Sequence, residues 1–587
     1  MIVPMIKITF VGLERDKEQF LQHLQEIGAV HLIFPRERVE PMDLVRELGR
    51  ITETCKFLAV RAGTATPQGA LSAREVCEKR EILGQREARL QTEITVLKKE
   101  CSVVEAWGDF PVQEVEVLRS KGVYLQFFRV SPTNFARLPL KDVYHQVIRV
   151  VRGETCFITV AGQPVSLEVQ PEKLPSAGLS EIRTQLAKKQ AELEQIAADY
   201  AALATHLPVL KSEQAALTNF LEHRRAVLNA QNELESRLFI VKCWSPLPER
   251  ELAAKIPGTL TLYHYSESPA ADEQVPVLLR NNAIFDSGED LVKVYSYPSY
   301  ADFDPSGFVL YCFAMFFGMI IGDTGYGLTL LALTVIARRK FKSTGPFAVR
   351  FFRLMYFLSI AVTVYGIISG GYFGIMLRPD NPLSKLCVID LNTKAGQNLA
   401  MIISVIIGML HISLSFLVRF RNTRDIAALG WVGVIWSGYF LINSRMAHGV
   451  DNVFARYFFI AGLVVVFAFS SSSKNIVLRI LAGFNGLLGI VQVFSDVLSY
   501  LRLFALGIAT IYMAHTFNML ARDIVAGLPW IGYLVAAIIL FAGHSVNLLL
   551  GIMGGVIHGL RLNFLEWYRW CFTGDGVVYR PFERIKY

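Results

Sequence analysis

The feature that most constrains this chain is a series of apolar segments that fills its second half. They lie near residues 307–337, 351–377, 398–418, 426–444, 454–471, 478–521 and 530–568. About 20 apolar residues in a helix cross the hydrocarbon core of a bilayer, where backbone polar groups must be satisfied within the segment. Residues 1–306 have ordinary polarity and long charged stretches. We therefore predict a soluble domain over 1–306 and an all-α integral membrane domain over 307–587.

Basic residues between these segments predict the side that each loop faces. They are concentrated in three loops, which contain Arg338, Arg339, Lys340, Lys342, Arg350 and Arg353, then Arg419, Arg421 and Arg424, then Lys474 and Arg479. Loops rich in arginine and lysine stay cytoplasmic, whereas the stretches near 378–397 and 446–453 are mixed or nearly uncharged and are expected outside. These assignments agree if 307–337 is a hairpin broken at the glycine-rich residues 322–327, and a single long first helix is the alternative.

The hairpin gives about eight membrane helices and a cytoplasmic C-terminus. The last two apolar segments hold about 40 residues each, which as helices span roughly 60 Å. This is about twice the hydrocarbon thickness, so we expect both helices to be long and tilted, or broken.

The soluble half combines strand-like segments with two long helical regions. Residues 6–10, 15–27 and 30–34 read as strand, helix and strand. Helices are predicted over about 38–105, with an interruption near 62–70, and over about 178–236, with a kink at Pro208. Apolar residues recur three and four apart in both helices, which favours an antiparallel coiled coil joining two α/β lobes. Two amphipathic helices packed on a globular core are the alternative.

Several classes of function have no support in the sequence. The chain has no GxxxxGK[ST] motif, so no nucleotide site is expected on it. Its eight cysteines are scattered without a CxxC pair or clustered histidines, so neither a metal site nor a disulfide framework is predicted. The net charge of +8 lies largely beside apolar runs, where membrane topology explains it, so nucleic-acid binding is not expected. The N-terminus lacks the features of a signal peptide, which predicts a cytoplasmic first half.

Arg502 is the candidate residue with the clearest physical argument. It lies inside the apolar run 498–509, and Asp496 is the nearest acidic residue. A charged arginine at the bilayer centre costs about 3 kcal/mol even on the mildest scale, so it is expected to face a cavity or a partner. An unpaired arginine calls for an anion, and a carboxylate arriving on another protein would fit. The alternative is an arginine that snorkels from a helix end.

Polar and small residues form stripes on the last two predicted helices. The residues of the final helix that recur three or four apart are His544, Asn547, Gly551, Gly554, His558 and Arg561. The preceding helix has a comparable stripe, which consists of Ser495, Ser499, Arg502, Ala509 and Met513, with Asp496 beside it. Packing alone needs neither two arginines nor two histidines. We therefore predict a polar pathway along these faces.

Three motifs, in order along the chain, resemble those of one family. The sequence FFGMIIGDTGYG at 316–327 resembles the first membrane motif of the a/I subunit of vacuolar and archaeal-type rotary ATPases. SYLRLFAL at 499–506 is similar to the motif with that family's essential arginine, and IHGLRLNFLE at 557–566 to its last-helix motif. Gly574, Asp575 and Gly576, followed by Pro581 and Phe582, also match.

The resemblance implies a stator subunit that conducts protons or Na⁺ through two half-channels, aqueous paths that each reach only part of the way across the membrane. Arg502 would face the carboxylates of a rotating ring, with Arg561 as its companion. Attraction to Arg502 would favour the charged carboxylate, which then releases its ion. His558 and Asp323 resemble positions in the half-channel away from the cytoplasm. Further half-channel candidates are Ser495, Asp496, Ser499, His544, Asn547 and Glu566.

The implied partners are the membrane rotor ring of c/K-type proteolipids, peripheral-stalk subunits of the E/G type, a C/d-type subunit of the central rotor, and the lipid bilayer. The chain departs from the eukaryotic pattern at Thr510, where a histidine is expected, and at Gly551, where a glutamate is expected. No N-x-[ST] sequon is present, which favours a prokaryotic cell membrane. The sequence leaves open whether the ion is H⁺ or Na⁺.

Two other functional classes remain as alternatives. A secondary transporter could bind an anionic substrate with Arg502 and Arg561, but the internal repeat expected of such a protein is not evident. A purely structural membrane scaffold would not account for the buried arginines.

Overall fold

The computed structural model describes residues 1–587 except 36–37, 62–69, 141–142, 152, 174–176, 234–236, 271–272, 342–344, 376–380, 449–451, 472–474, 529, 573, 575 and 587, and the side chains of 112, 232, 447 and 448. Lys342, Lys474, Asp575 and most of the predicted interruption at 62–70 therefore lie outside the described residues.

The first half contains most of the strands and nine helices in its described parts. The strands are β1 (Ile6–Leu13), β2 (His31–Ile33), β3 (Tyr124–Val130), β4 (Tyr144–Val151), β5 (Glu154–Ala161), β6 (Gln231–Glu233), β7 (Leu238–Ser245), β8 (Leu262–Glu267) and β9 (Pro276–Val277). The helices are α1 (Lys17–Ile27), α2 (Met42–Ala59), α3 (Ala73–Val104), α4 (Val112–Ser120), α5 (Pro132–Phe135), α6 (Leu179–Ala204), α7 (Leu207–Asn229), α8 (Glu249–Ala254) and α9 (Asp286–Tyr295).

Two antiparallel sheets form the centres of two lobes. The first has the order β2-β7-β1-β8, with β6 also paired to β7, and its core includes Phe10, Phe20 and Phe239. The second has the order β3-β5-β4 and comes from the chain between α3 and α6. The strand–helix–strand start predicted for the first lobe is confirmed by β1, α1 and β2.

Long helices pack in antiparallel pairs between the two lobes, α2 on α7 and α3 on α6. Lys189 forms an ion pair with Glu93 at 2.9 Å, and Arg183 with Glu105 at 3.0 Å, so residue numbers fall along α6 as they rise along α3. Each predicted helix is divided in two. The second break falls at Thr205 and His206, because Pro208 lies at the start of α7, where its missing N–H costs no helical hydrogen bond.

The second half is helical almost throughout. Its helices are α10 (Ser306–Ile321), α11 (Thr324–Lys340), α12 (Pro346–Ser369), α13 (Lys394–Thr423), α14 (Ile426–His448), α15 (Val453–Phe469), α16 (Ile476–Leu498), α17 (Leu501–Gly527), α18 (Ile531–Arg561) and α19 (Tyr568–Cys571). Five stretches in the described chain are long and apolar enough to cross a membrane: 346–369, 394–423, 426–446, 476–527 and 531–571. A π-helical turn at Leu562–Trp567 links α18 to α19.

The chain reverses direction between α10 and α11. Gly318 on α10 lies against Ala361 of α12, and Gly327 on α11 lies against Thr363, so residues on either side of the break reach the same level of α12. Gly322 ends α10 with φ of 58°, a conformation that glycine adopts without strain. The backbone groups at the break are bonded to the end of α12, because Thr324 N–H donates to Gly371 O at 2.8 Å and the Ser369 hydroxyl donates to Gly322 O at 3.0 Å. The two halves of 307–337 therefore form a hairpin.

The start of α12 and the C-terminal tail are both attached to the first half. Arg350 pairs with Asp290 of α9 at 2.7 Å. The tail adds strand β10 (Val577–Val578), which pairs in parallel with β9, and Phe582 N–H donates to Val30 O at 2.7 Å. The start of α12 and the tail around residues 577–584 therefore lie on the same side as the soluble lobes. That this side is the cytoplasm stays a prediction.

Candidate functional site

Arg502 lies at a break between two membrane helices. The helix α16 ends at Leu498, and α17 begins at Leu501, so Arg502 is in the first turn of α17. The sequence left open whether this long segment is tilted or broken, and it did not locate the break, because neither glycine nor proline marks it. Tyr500 holds the break in place: its fully buried ring lies against Gly408, and its hydroxyl is 2.5 Å from Nδ1 of His411.

The structure describes no hydrogen bond and no ion pair to the guanidinium of Arg502 among the residues that it covers. Its Nη1 atom is buried and has no hydrogen-bond partner among the residues that the structure describes. No ion pair to Arg502 occurs among those residues either, although the charges of Arg561 and Glu566 act on it. Whether the partner of Arg502 is a carboxylate on another protein stays a prediction.

A polar cleft of about 810 Å³ opens between Arg502 and the soluble lobes. We call it the soluble-side cleft. Five of the predicted half-channel or arginine positions line it, and so do residues 295–296 at the end of α9. The predicted residues are Ser495, Asp496, Ser499, Arg561 and Glu566.

The acidic groups of the soluble-side cleft are held by specific contacts. Asp496 is buried and accepts hydrogen bonds from Gln492 Nε2 at 2.6 Å and Trp570 Nε1 at 2.8 Å. Glu566 is buried as well, and its Oε1 lies 3.5 Å from Nε of Arg561, which is half-exposed. Gln492 and Trp570 were not predicted. The Trp570 contact depends on helix α19 folding back towards α16, whereas Gln492 lies one turn before Asp496 on α16.

A second polar group lies on the other side of Arg502, around the break between α10 and α11. We call it the far-side cluster, and it consists of Asp323, Tyr326, Thr510, Asn518, His544 and Asn547. Asn547 Nδ2 donates to the Tyr326 hydroxyl at 2.9 Å and to Thr510 O at 2.9 Å. His544 is within hydrogen-bond distance of Tyr326 and of Asn518, at 2.7 Å and 3.1 Å.

The predicted half-channel residues thus divide between two places. Asp323 has a structural task in the far-side cluster, since its Oδ1 accepts the Tyr326 N–H at 3.1 Å and its Oδ2 the Gly374 N–H at 3.3 Å, which caps α11. The structure does not bring His558 to Asp323. His558 is eleven residues beyond Asn547 on α18, about 16 Å along the helix, and the charges of Arg502 and Arg561 act on it.

The two departures from the expected motif have packing explanations. Gly551, Gly555 and Gly559 form the face of α18 that lies on α10, where Gly551 contacts Ile321 and Gly559 contacts Phe313. Glycines allow such close helix contact. The Thr510 hydroxyl donates to Ile320 O at 3.2 Å, which satisfies a carbonyl near the end of α10. Tyr326 and Asn518 were missed by sequence reasoning, because their proximity to His544 depends on the hairpin.

These observations define a class of protein. It is a membrane protein with a soluble α/β domain, and its membrane part has an arginine that lies between two polar regions and has no ion pair among the described residues. Comparison with named proteins shows which of them this chain is similar to. The chain is 26% identical to V-type ATP synthase subunit I of Chlamydia trachomatis, with 100% of this chain and 99% of the relative covered. It is 25% identical to V-type ATP synthase subunit I of Borreliella burgdorferi, with both chains fully covered.

An archaeal relative, A-type ATP synthase subunit I of Methanocaldococcus jannaschii, is 26% identical, with 70% of this chain and 64% of the relative covered. No family model matches the chain. A crystal structure of the cytoplasmic N-terminal domain of subunit I, homolog of subunit a, of V-ATPase aligns with a TM-score of 0.23 and 14% identity, and covers 45% of this chain and 100% of that domain. That score is too low to establish a shared fold, so the sequence relatives carry the comparison. They confirm the resemblance to subunit I of the vacuolar and archaeal-type ATPases.

Proposed function

We propose that this chain is the stator subunit of a rotary V/A-type ATPase, and that it conducts ions to and from the carboxylates of a rotating membrane ring. The observation that carries the proposal is the position of Arg502 between the soluble-side cleft and the far-side cluster. The names of the full-length relatives, V-type ATP synthase subunit I, support the same assignment.

The two polar regions have the separation that two half-channels require. Thr510, the member of the far-side cluster nearest to Arg502 on α17, is eight residues further along, or about 12 Å. Apolar and small residues fill this interval, among them Leu503, Leu506 and Gly507. An ion that enters one polar region therefore has no continuous polar path to the other along α17. It would cross only on the ring.

Arg502 would act at the point where a ring carboxylate passes between the two regions. Because an arginine cannot be neutralised at any relevant pH, it keeps the passing carboxylate charged and drives off its ion. A neutral, loaded carboxylate can then travel through lipid, while a charged one cannot. Ala505 and Ala509 are exposed on the same side of α17 as Arg502, where small side chains leave room for a partner helix.

The soluble half would hold the stator in place. The paired helices separate the two lobes, and α3 alone has 32 residues, which is about 48 Å of helix. A coiled coil of this length suits contacts with E/G-type peripheral stalks and with a C/d-type rotor subunit. We place this half, and the C-terminus attached to it, in the cytoplasm, with about eight helices crossing the membrane of a prokaryotic cell. ATP would be hydrolysed or made on other subunits.

A photo-crosslinking amino acid at Ala509 tests the central contact. In the intact complex in native membrane, we expect an adduct between this position and a small ring subunit. The same amino acid at Val464, an exposed position on α15, serves as the control and should react only with lipid. Adduct formation with the ring at Val464 but not at Ala509 would contradict the proposal.

A further inference from the structure

His411 of α13 is a buried histidine that belongs to neither of the two polar regions beside Arg502. It is 4% exposed, and its ring stacks with those of Phe308 and Trp567, at centroid distances of 5.2 Å and 5.5 Å. Its Nδ1 lies 2.5 Å from the Tyr500 hydroxyl, whereas its Nε2 has no hydrogen-bond partner among the described residues. In the described structure the imidazole therefore has aromatic neighbours and a single polar contact.

His411 joins two segments that carry charged residues. Tyr500 precedes the first turn of α17 and is two positions before Arg502. Trp567 is the last residue of the π-helical turn and directly follows Glu566. One imidazole therefore contacts both the segment that places Arg502 and the segment that places Glu566.

Arg502 and Glu566 have opposite charges that act on each other, but no ion pair joins them in the part of the chain that the structure describes. Nη1 of Arg502 and Oε2 of Glu566 are both buried, and neither has a hydrogen-bond partner among the described residues. The other oxygen of Glu566 faces Arg561 at 3.5 Å. Two buried groups of opposite charge are expected to pair where the backbone allows it, because a buried charge without a partner is costly. The separation of Arg502 from Glu566 therefore calls for a structural cause.

We infer that His411 is a positioning residue for ion transport, which keeps the guanidinium of Arg502 from pairing with Glu566. It does so by holding the α16–α17 break through Tyr500 and the π-helical turn through Trp567. An arginine paired on its own chain could not offer the same donors to a passing ring carboxylate. The inference rests on the proposed function and adds a condition to it, since Arg502 must stay unpaired between one passing carboxylate and the next.

Ion uptake per ATP hydrolysed, by the complete complex in vesicles, measures the effect of His411. His411→Phe keeps a ring for stacking but loses the hydrogen bond, and Tyr500→Phe removes the same bond from its other end. We expect each variant to lower uptake about tenfold, the upper end for one neutral hydrogen bond, and the double variant to lower it no further. Tyr365→Phe is the matched control, because Tyr365 packs against the same core and no hydrogen bond to its hydroxyl occurs among the described residues. It should leave uptake unchanged.

Two further measurements separate the positioning of Arg502 from a general loss of packing. Electron cryomicroscopy of the His411→Phe complex should show the Arg502 guanidinium within about 4 Å of the Glu566 carboxylate, the distance of an ion pair. Glu566→Gln removes the competing charge, so adding His411→Phe to it should have little further effect on uptake. A photo-crosslinking amino acid at Ala509 should still form its adduct with the ring in these variants, which shows that they assemble.

Near-normal uptake in both His411→Phe and Tyr500→Phe would overturn the inference. An undiminished effect of His411→Phe in the Glu566→Gln background, or a loss of uptake while Arg502 stays unpaired in the variant structure, would mean that His411 only supports packing. If Glu566→Gln alone blocks uptake, the variant structure decides. If His411→Phe does not assemble, the same measurements are made on Tyr500→Phe, which leaves the rings in place. Wild-type ion uptake that does not depend on Arg502 would instead refute the proposed function.

Discussion

Replacing Arg502 by lysine separates the charge of this residue from its geometry. A guanidinium about 4 Å from a ring carboxylate, at an effective dielectric constant of about 20, stabilises the charged carboxylate by about 4 kcal/mol. A stabilisation of this size shifts the equilibrium between the loaded and the charged carboxylate roughly a thousandfold towards ion release. A lysine side chain is shorter, so its ammonium would lie about 6 Å from the ring carboxylate. At that distance the stabilisation of the charged carboxylate falls to about 2.8 kcal/mol.

The lysine variant loses a second contribution. It cannot form the paired N–H contacts of a guanidinium, and one lost hydrogen bond to a charged group costs about 1.5–3 kcal/mol. The backbone cannot move to compensate, because Tyr500 holds the start of α17 against Gly408 and His411. The total loss is about 3–4 kcal/mol, so we expect coupled transport to fall by two to three powers of ten while the complex still assembles.

Arg561→Lys is the matched control for this experiment. Arg561 is half-exposed and has an acidic partner, Glu566, at 3.5 Å. Exposed ion pairs contribute about 0.2–1 kcal/mol, so coupled ion transport in the Arg561→Lys variant should fall less than about tenfold. Ion uptake per ATP hydrolysed, in vesicles containing each reconstituted complex, measures both effects. Near-normal coupling in Arg502→Lys, or an equal loss in Arg561→Lys, would refute the reasoning and return attention to a transporter or a scaffold.

Three further predictions concern topology, nucleotide binding and pH. Single cysteines are placed at Phe341, next to the α11–α12 loop, and at Lys385, beyond the end of α12, in a background without other reactive cysteines. The two cysteines should be labelled from opposite sides of the membrane. Labelling of both from the same side would contradict the hairpin. The full chain should show no stoichiometric ATP binding in equilibrium dialysis, and saturable binding at one site would contradict the missing P-loop. Burial, and then the charges of Arg580 and Arg38, lower the pKa of His31 from its ordinary value of 6.5, and its Nδ1 accepts the Arg580 N–H at 3.0 Å. The folded state therefore favours neutral His31, so the attachment of the C-terminal tail is complete above about pH 6.5 and weakens as the pH falls below it. Protection of the Phe582 amide, which compares its exchange rate with that of an unprotected amide at the same pH, should fall on acidification in the wild type and less so in His31→Gln. An identical fall in both would exclude His31 as the cause.

The sequence by itself determined the features that depend on local composition. The predicted boundary near 306 and the strand–helix–strand start follow from hydropathy and side-chain periodicity. Glycine content favoured a reversal near Gly322 but left a single long helix as the alternative. Arg502 was identifiable because a charge in an apolar run needs a physical explanation wherever it folds. The candidate residues on the final two helices were also visible as stripes, since helical periodicity shows which residues share a face.

Only the tertiary structure decided how these residues are distributed between the two sides of Arg502. A stripe places His544 and His558 on one face of a helix, but only the packing of α18 against its neighbours puts His544 beside Tyr326, whereas His558 lies one turn from Arg561 on the same helix. Tyr326, Asn518 and Trp570 had no local signal, because their roles depend on contacts between residues up to 221 positions apart, as for Asn547 and Tyr326. The break at Tyr500 was hidden for the same reason: what holds it is Gly408 and His411 on another helix, and the pattern around residue 500 contains neither.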